Sequence, residues 1–275
     1  MSTSVFFLFS LIFIFGTVIG SFLNVLIYRL GSGFGFRGRS KCLSCGKTLS
    51  ARMLVPVLSY VVQGGRCAHC RTKLSRQYPI VEIMTGLLFV AVAWANHLDH
   101  LPFPAHSLTF FFLDAAVFST LVVLTVYDIK HKIIPDQLSL CFALFGGIAL
   151  WLKFSFGLSP EQYIPIFDQV PWWIDIAAAP LLATPLALLW LLSQGRAMGL
   201  GDAKLAWGMG WFLGFSKGIS AIVFAFWIAF IPSLILLLLP KKHFTMKSEI
   251  PFAPFLVLGT LAAYLSGISI LNWTF

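Results

Sequence analysis

The sequence predicts an all-α polytopic membrane protein of about eight transmembrane helices, with one sizeable polar insertion after the first. Three observations predict it. Hydrophobic residues make up 59% of the 275-residue chain and charged residues only 11%. Soluble domains carry roughly 25% charged residues, so a water-soluble globule could not cover its surface with so few; the apolar excess also excludes disorder. Apolar stretches recur along the chain at the length a bilayer requires, about 20 residues each. Finally, the net charge of +9 is confined to one place: residues 1–81 hold ten basic residues and no Asp or Glu, leaving the rest of the chain near neutral.

The first span covers 5–28, which is free of charge, and Arg29 closes it. No Lys or Arg precedes this run and it is too long for a cleavable signal peptide. The polar insertion follows at 31–77. Further spans read at 80–95, 108–127, 137–152, 173–192, 203–214, 218–239 and 252–271. The sixth is short and is expected either to cross only half the bilayer or to begin in a cavity. A basic loop beside a span marks the cytoplasmic side, which puts the N-terminus outside; nucleic-acid binding is not expected. By alternation, inside loops then hold Lys130, Lys132, Arg196, Lys204, Lys241, Lys242 and Lys247. Outside loops hold Lys153 and Lys217, together with Asp99, Glu161, Asp168 and, near a span end, Asp175. Seventeen of 19 basic residues fall inside. Trp172 and Trp173 suit an outer interface belt.

The insertion carries Cys42-Leu-Ser-Cys45 and Cys67-Ala-His-Cys70. A CxxC turn sets two sulfurs on one side of a knuckle, and two knuckles complete the tetrahedral thiolate site that zinc favours. A redox pair is the competing reading, but one CxxC would suffice for it and a reducing compartment disfavours disulfides. Four thiolates leave no open position for a catalytic water, so the expected Zn²⁺ is structural, held by Cys42, Cys45, Cys67 and Cys70. Such a short segment has little core of its own, and the metal would supply its folding energy. Cys141, alone in the fourth span, is expected to be a small packed residue.

Acids within spans are costly and mark function. Asp128 closes the third span and Asp202 opens the sixth, in Gly199-Leu200-Gly201-Asp202, so both belong to one membrane face. Two carboxylates brought together can hold one proton between them, one acting as base on a water and the other as acid. The competing reading for each is a helix N-cap or an ion pair with Lys130 or Lys204. Gly199 and Gly201 allow close backbone approach and a non-helical lead-in where a substrate strand could pair. Asp114 lies deeper in the third span and is not favoured for catalysis. Asp136, after Pro135, reads as an N-cap of the fourth span. Glu82 opens the second span and either favours its N-terminus electrostatically or lines the site. A polytopic ion or proton transporter using these carboxylates is the alternative function, although the internal repeat expected of one is missing. An inert zinc-organised scaffold is a third reading.

These residues together resemble one family, the type IV prepilin peptidases, bifunctional leader peptidase/N-methyltransferases with a GxGD aspartic site. The matches are Gly20-Ser21-Phe22-Leu23-Asn24-Val25 to Arg29, the paired CxxC loop with Pro56-Val57-Leu58-Ser59-Tyr60 between, Tyr78-Pro79-Ile80-Val81-Glu82, Asp128 to Asp136, Gly199 to Asp202, and Pro251-Phe252-Ala253-Pro254-Phe255-Leu256. The first knuckle departs from the family in having Leu43 where Pro is common. The resemblance implies a bacterial inner-membrane aspartic endopeptidase. It would cut the basic leader of a prepilin or pseudopilin after glycine at the cytoplasmic face, with Asp128 and Asp202 catalytic and Gly199, Gly201 and Glu82 supporting the site. It also implies N-methylation of the new terminus with S-adenosylmethionine, for which the sequence offers no nucleotide fingerprint. Three regions are expected: a first helix over 1–30, a zinc-binding loop over 31–77, and a seven-helix peptidase portion over 78–275.

Overall fold

In a computed structural model of the chain, residues 3–30, 32, 38–100, 102–157, 173–238 and 251–270 are described. Expectations that rest on Arg37, Glu161, Asp168, Trp172, Lys241, Lys242 and Lys247 lie outside them. The described residues are helical without named strands: α1 (Thr3–Arg29), α2 (Leu58–Val62), α3 (Gln77–Ala95), α4 (Ala105–His131), α5 (Asp136–Ser155), α6 (Trp173–Ser193), α7 (Leu200–Leu213), α8 (Phe215–Leu238) and α9 (Ala253–Ser266), with a 3-10 turn at Ala51–Leu54. All but α2 match the eight expected spans. Six are long and apolar enough to cross a bilayer; α7 and α9 have 14 residues each, about 21 Å of helix. α9 stops well short of residue 271 because Gly267 takes a left-handed conformation (φ 65°) at its C-cap, which breaks the helical hydrogen bonding. Cys141 is exposed on α5, not packed as expected.

The chain divides into two compact units, Met1–Val123 and Leu124–Phe275, the division falling within α4. In the first, α1 packs on α3 nearly backbone to backbone. A Cβ on Gly16 would meet Gly86 Cα at 2.8 Å, and one on Gly20 would meet Glu82 Cα at 2.8 Å. Small residues permit this approach in membranes, where helix pairing depends on packing rather than on escape from water. Buried polar groups then fix the register. Asn24 Nδ2 donates to the Tyr78 carbonyl at 3.2 Å, Gln77 Nε2 donates to Asn24 Oδ1 at 3.1 Å, and the Tyr28 and Tyr78 rings stack.

In the second unit α7 is the central helix, packed on α5, α6, α8 and α9. Its sequence allows this because apolar and small residues lie on all sides, so most of it is buried. Gly208 makes room for the Phe142 ring, and a Cβ on Gly210 would sit 2.5 Å from the Ala179 backbone nitrogen. Polar contacts hold the α7–α8 corner at Gly214 (φ 80°). Lys153 Nζ donates to the last-turn Phe212 carbonyl at 2.8 Å, while the Phe215 N–H donates to Asp175 Oδ1 at 3.1 Å. Each supplies a partner for an orphan group at a helix end.

Candidate active site and metal centre

Asp128 lies in the last turn of α4 and Asp202 in the first turn of α7. They are 5% and 6% exposed and close enough for their carboxylates to interact electrostatically. The link between α4 and α5 brings them together. Lys132, at φ 53°, ends α4 by donating its N–H to the Asp128 carbonyl at 2.7 Å. Ile134 then presses on the start of α7, where a Cβ on Gly201 would meet Ile134 Cβ at 2.8 Å. The Ala253 N–H, at the start of α9, donates to the Asp128 carboxylate, and the Gly199 N–H to that of Asp202. Asp128 Oδ2 is buried with no hydrogen-bond partner among the described residues. A carboxylate oxygen without such a partner is costly in the interior and is free to receive a water or a proton.

The two glycines before Asp202 differ. Gly201 is required by Ile134, whereas a Cβ on Gly199 would be 3.7 Å from Asp202 Oδ2, an ordinary contact. Helix α7 begins at Leu200, three residues earlier than expected. The non-helical lead-in is therefore reduced to Gly199, which is extended (φ −76°, ψ 148°). Lys204 does not pair with Asp202; it pairs with Asp136. Asp136 is the first residue of α5 rather than its N-cap, a position held by Pro135.

Among the described residues, the remaining acids lie in the first unit or at the α7–α8 corner. Asp114 accepts a hydrogen bond from Asn96 Nδ2 at 3.0 Å. Glu82 is the sixth residue of α3 rather than its opening, and it is buried. Its carboxylate accepts the Val57 N–H at 2.7 Å and the Ser21 hydroxyl. Asp175 is buried against the Phe215 N–H. Sequence reasoning missed the partners supplied by Val57, Ile134 and the Ala253 N–H. All three lie in motifs read from the sequence, Pro56 to Tyr60, Asp128 to Asp136 and Pro251 to Leu256, but nothing in those motifs indicates the contact each makes.

The four knuckle cysteines converge, with their sulfurs all within 4.8 Å of one another and Cys42 Sγ 3.9 Å from Cys70 Sγ. Zn–S bonds of about 2.3 Å give a tetrahedral edge of about 3.8 Å, so the donor set and spacing fit Zn²⁺. The knuckles repeat each other at an offset of 25 residues. Bridges pair Lys41 with Thr48 and Arg66 with Lys73, and the Gly46 and Arg71 N–H groups donate to the Cys42 and Cys67 carbonyls, each at 2.9 Å. Both Gly46 and Arg71 have positive φ, 69° and 59°, a conformation that suits glycine and strains arginine.

The thiols differ in acidity. The Cys45 and Ser44 N–H groups donate to Cys42 and lower it. The Thr72 hydroxyl and N–H bring Cys70 down to about 6. The Lys47 N–H acts to lower Cys45, but desolvation and the Cys42 and Cys70 sulfurs outweigh it and raise Cys45 to about 11. Crowded sulfurs cannot all ionise unaided, and a bound dication is what lets them.

Residues 14–96 match the model of the bacterial peptidase A24 N-terminal domain, and 115–238 that of the type IV leader peptidase family. The chain is 32% identical to a prepilin leader peptidase/N-methyltransferase of Aeromonas salmonicida, over 96% of this chain and 93% of the relative. It is 31% identical to that of Aeromonas hydrophila over the same shares. It is 28% identical to that of Bacillus subtilis, over 96% of each chain. No solved structure matches. The transporter reading finds no support among these similarities.

Proposed function

The chain belongs to the type IV leader peptidase family, and we propose that it cleaves the leader of a prepilin or pseudopilin with Asp128 and Asp202 as the catalytic pair. The observation that carries this is the meeting of two buried carboxylates from positions 74 residues apart, one of them with an unpartnered oxygen. With one proton shared, the ionised carboxylate takes a proton from water as its oxygen attacks the carbonyl carbon of the glycine before the cut. The protonated carboxyl gives its proton to the carbonyl oxygen. Collapse of the resulting diol returns a proton to the leaving amine, breaks the C–N bond and restores the shared proton. The pair titrates as a dyad, so neither residue alone owns the acid role.

The second activity is N-methylation of the new terminus. It rests on the name carried by the relatives, with S-adenosylmethionine as methyl donor. The chain is a multi-pass protein of the bacterial inner membrane, and the basic excess of residues 29–76 supports a cytoplasmic zinc loop and active site with the N-terminus outside. Cys42, Cys45, Cys67 and Cys70 hold a structural Zn²⁺, and Gly201 supports the site by admitting Ile134.

Incubation of the purified protein with a prepilin and S-adenosylmethionine, read by intact mass, reports leader loss and methyl gain together. Asp128→Asn and Asp202→Asn, nearly isosteric, should each slow cleavage by about 10³-fold or more while membrane insertion and zinc content stay unchanged. Cleavage within tenfold of the unaltered protein in either variant would overturn the assignment.

A further inference from the structure

Glu82 is a carboxylate in a membrane span, and the catalytic pair does not explain it. Its partner is the backbone of the zinc loop. Val57 has φ 59° and ψ −53°, a tight turn closed by the Leu58 N–H donating to the Pro56 carbonyl. The Val57 N–H points at Glu82, 2.7 Å away. The depth of that contact follows from helix length. α3 has 19 residues, about 28 Å, close to the roughly 30 Å hydrocarbon core. Glu82 is five residues in from its start, about 7 Å. α1 has 27 residues, about 40 Å, and, centred on the core, would overhang it by about 5 Å at each end. Gly20, against which Glu82 sits, is nine residues from Arg29, or about 8 Å inside that boundary. The two helices therefore give the same depth.

The segment around Val57 is thus held within a side chain's length of a point inside the hydrocarbon. Its neighbours suit that place. Leu58, Val61 and Val62 are 65%, 69% and 80% exposed, and Leu54 and Val55 are also exposed. Five apolar side chains facing water from one short segment would be costly, while irregular backbone at membrane depth is tolerated only where protein satisfies it. Glu82 satisfies it here. On either side of the segment stand Arg52, Arg66, Lys73 and Arg76, all exposed. Exposed cations flanking an apolar segment suit anionic headgroups, and no acid occurs in the first 81 residues to oppose this.

We propose that residues 54–62 form a re-entrant hairpin seated in lipid, on the same bilayer face as Arg29, which anchors the zinc loop to the membrane. Glu82 is its positioning residue, receiving the Val57 N–H. The occupant of the apolar face is phospholipid: acyl chain against Leu58, Val61 and Val62, phosphate against the flanking cations.

The test is hydroxyl-radical footprinting of the unaltered full chain, one copy per nanodisc of phosphatidylglycerol and phosphatidylethanolamine. Leu43, on the first knuckle and 77% exposed, is the internal reference. Leu58, Val61 and Val62 should be oxidised at least fivefold less than Leu43. Oxidation at a rate like that of Leu43 would overturn the proposal. A photo-crosslinking residue at position 62, in protein with unchanged zinc content, should give phospholipid adducts. Adducts with a second polypeptide and none with lipid would assign the face to a protein partner and also overturn it. Both readouts are independent of peptidase activity, so a failed hairpin and a failed catalytic assignment are told apart.

Discussion

At the scale of single residues, the two glycines of the Gly199-Leu200-Gly201-Asp202 motif have separable roles. Gly201 faces the Ile134 side chain at 2.8 Å from an added Cβ; Gly199 has open contacts and an unstrained extended backbone. Gly201→Ala should therefore destabilise the folded protein by about 1–3 kcal/mol, the usual cost of overpacking. Gly199→Ala should leave stability within about 0.5 kcal/mol. Thermal unfolding in detergent measures both, and equal shifts would contradict the packing described. The motif itself was legible from sequence; this division was not, because it depends on Ile134, a residue 67 positions away that no local pattern connects to Gly201. The same is true of Lys204. A lysine two residues from Asp202 invited a local pairing, but side chains two apart on a helix point to opposite faces, and Asp136 at the start of α5 receives it instead.

At the scale of elements, the two cysteine knuckles were the most legible part of the chain, because CxxC spacing alone fixes where two sulfurs can point. Their internal repeat adds a contrast: the position after the second cysteine is Gly46 in one and Arg71 in the other, both left-handed. A non-glycine residue there costs roughly 1 kcal/mol. Arg71→Gly should thus strengthen zinc retention by roughly fivefold, read as the chelator concentration needed to remove half the metal. No gain, or a loss, would show that the arginine side chain makes a compensating contact. Helix ends were less legible. α7 begins before Asp202, taking a charged residue into its first turn, and α9 ends at Gly267 although apolar residues follow; backbone conformation rather than composition marks both ends. α4 runs on past its apolar stretch to His131, so Asp128 lies within the helix and not beyond its end.

At the scale of the whole molecule, scarcity of charge made the class of protein plain, and segregation of the remaining charge singled out the loop. What stayed hidden was how the loop is held, since the Val57–Glu82 hydrogen bond joins residues 25 positions apart. Folding of the loop and folding of the spans should also be separable. Between residues 38 and 76 the helical segments are Ala51–Leu54 and Leu58–Val62 alone, so removing zinc with a strong chelator should lower far-UV helical ellipticity by less than about a tenth. The same treatment should expose the loop's Lys and Arg residues to trypsin, because a metal bound by the four cysteines would supply the loop's folding energy. A large fall in ellipticity would show that the spans depend on the metal. The two 14-residue helices have a different kind of consequence. α7 is mostly buried among its neighbours, with Leu200 and Trp207 at its surface, whereas α9 packs on α7 and α8 and leaves Leu258 exposed. Being about 9 Å shorter than the hydrocarbon core, α9 places the hydrophobic mismatch of the protein along one edge. Lipid there must thin to meet it, and acyl-chain length becomes a variable to which that edge, carrying the Ala253 N–H, is mechanically coupled.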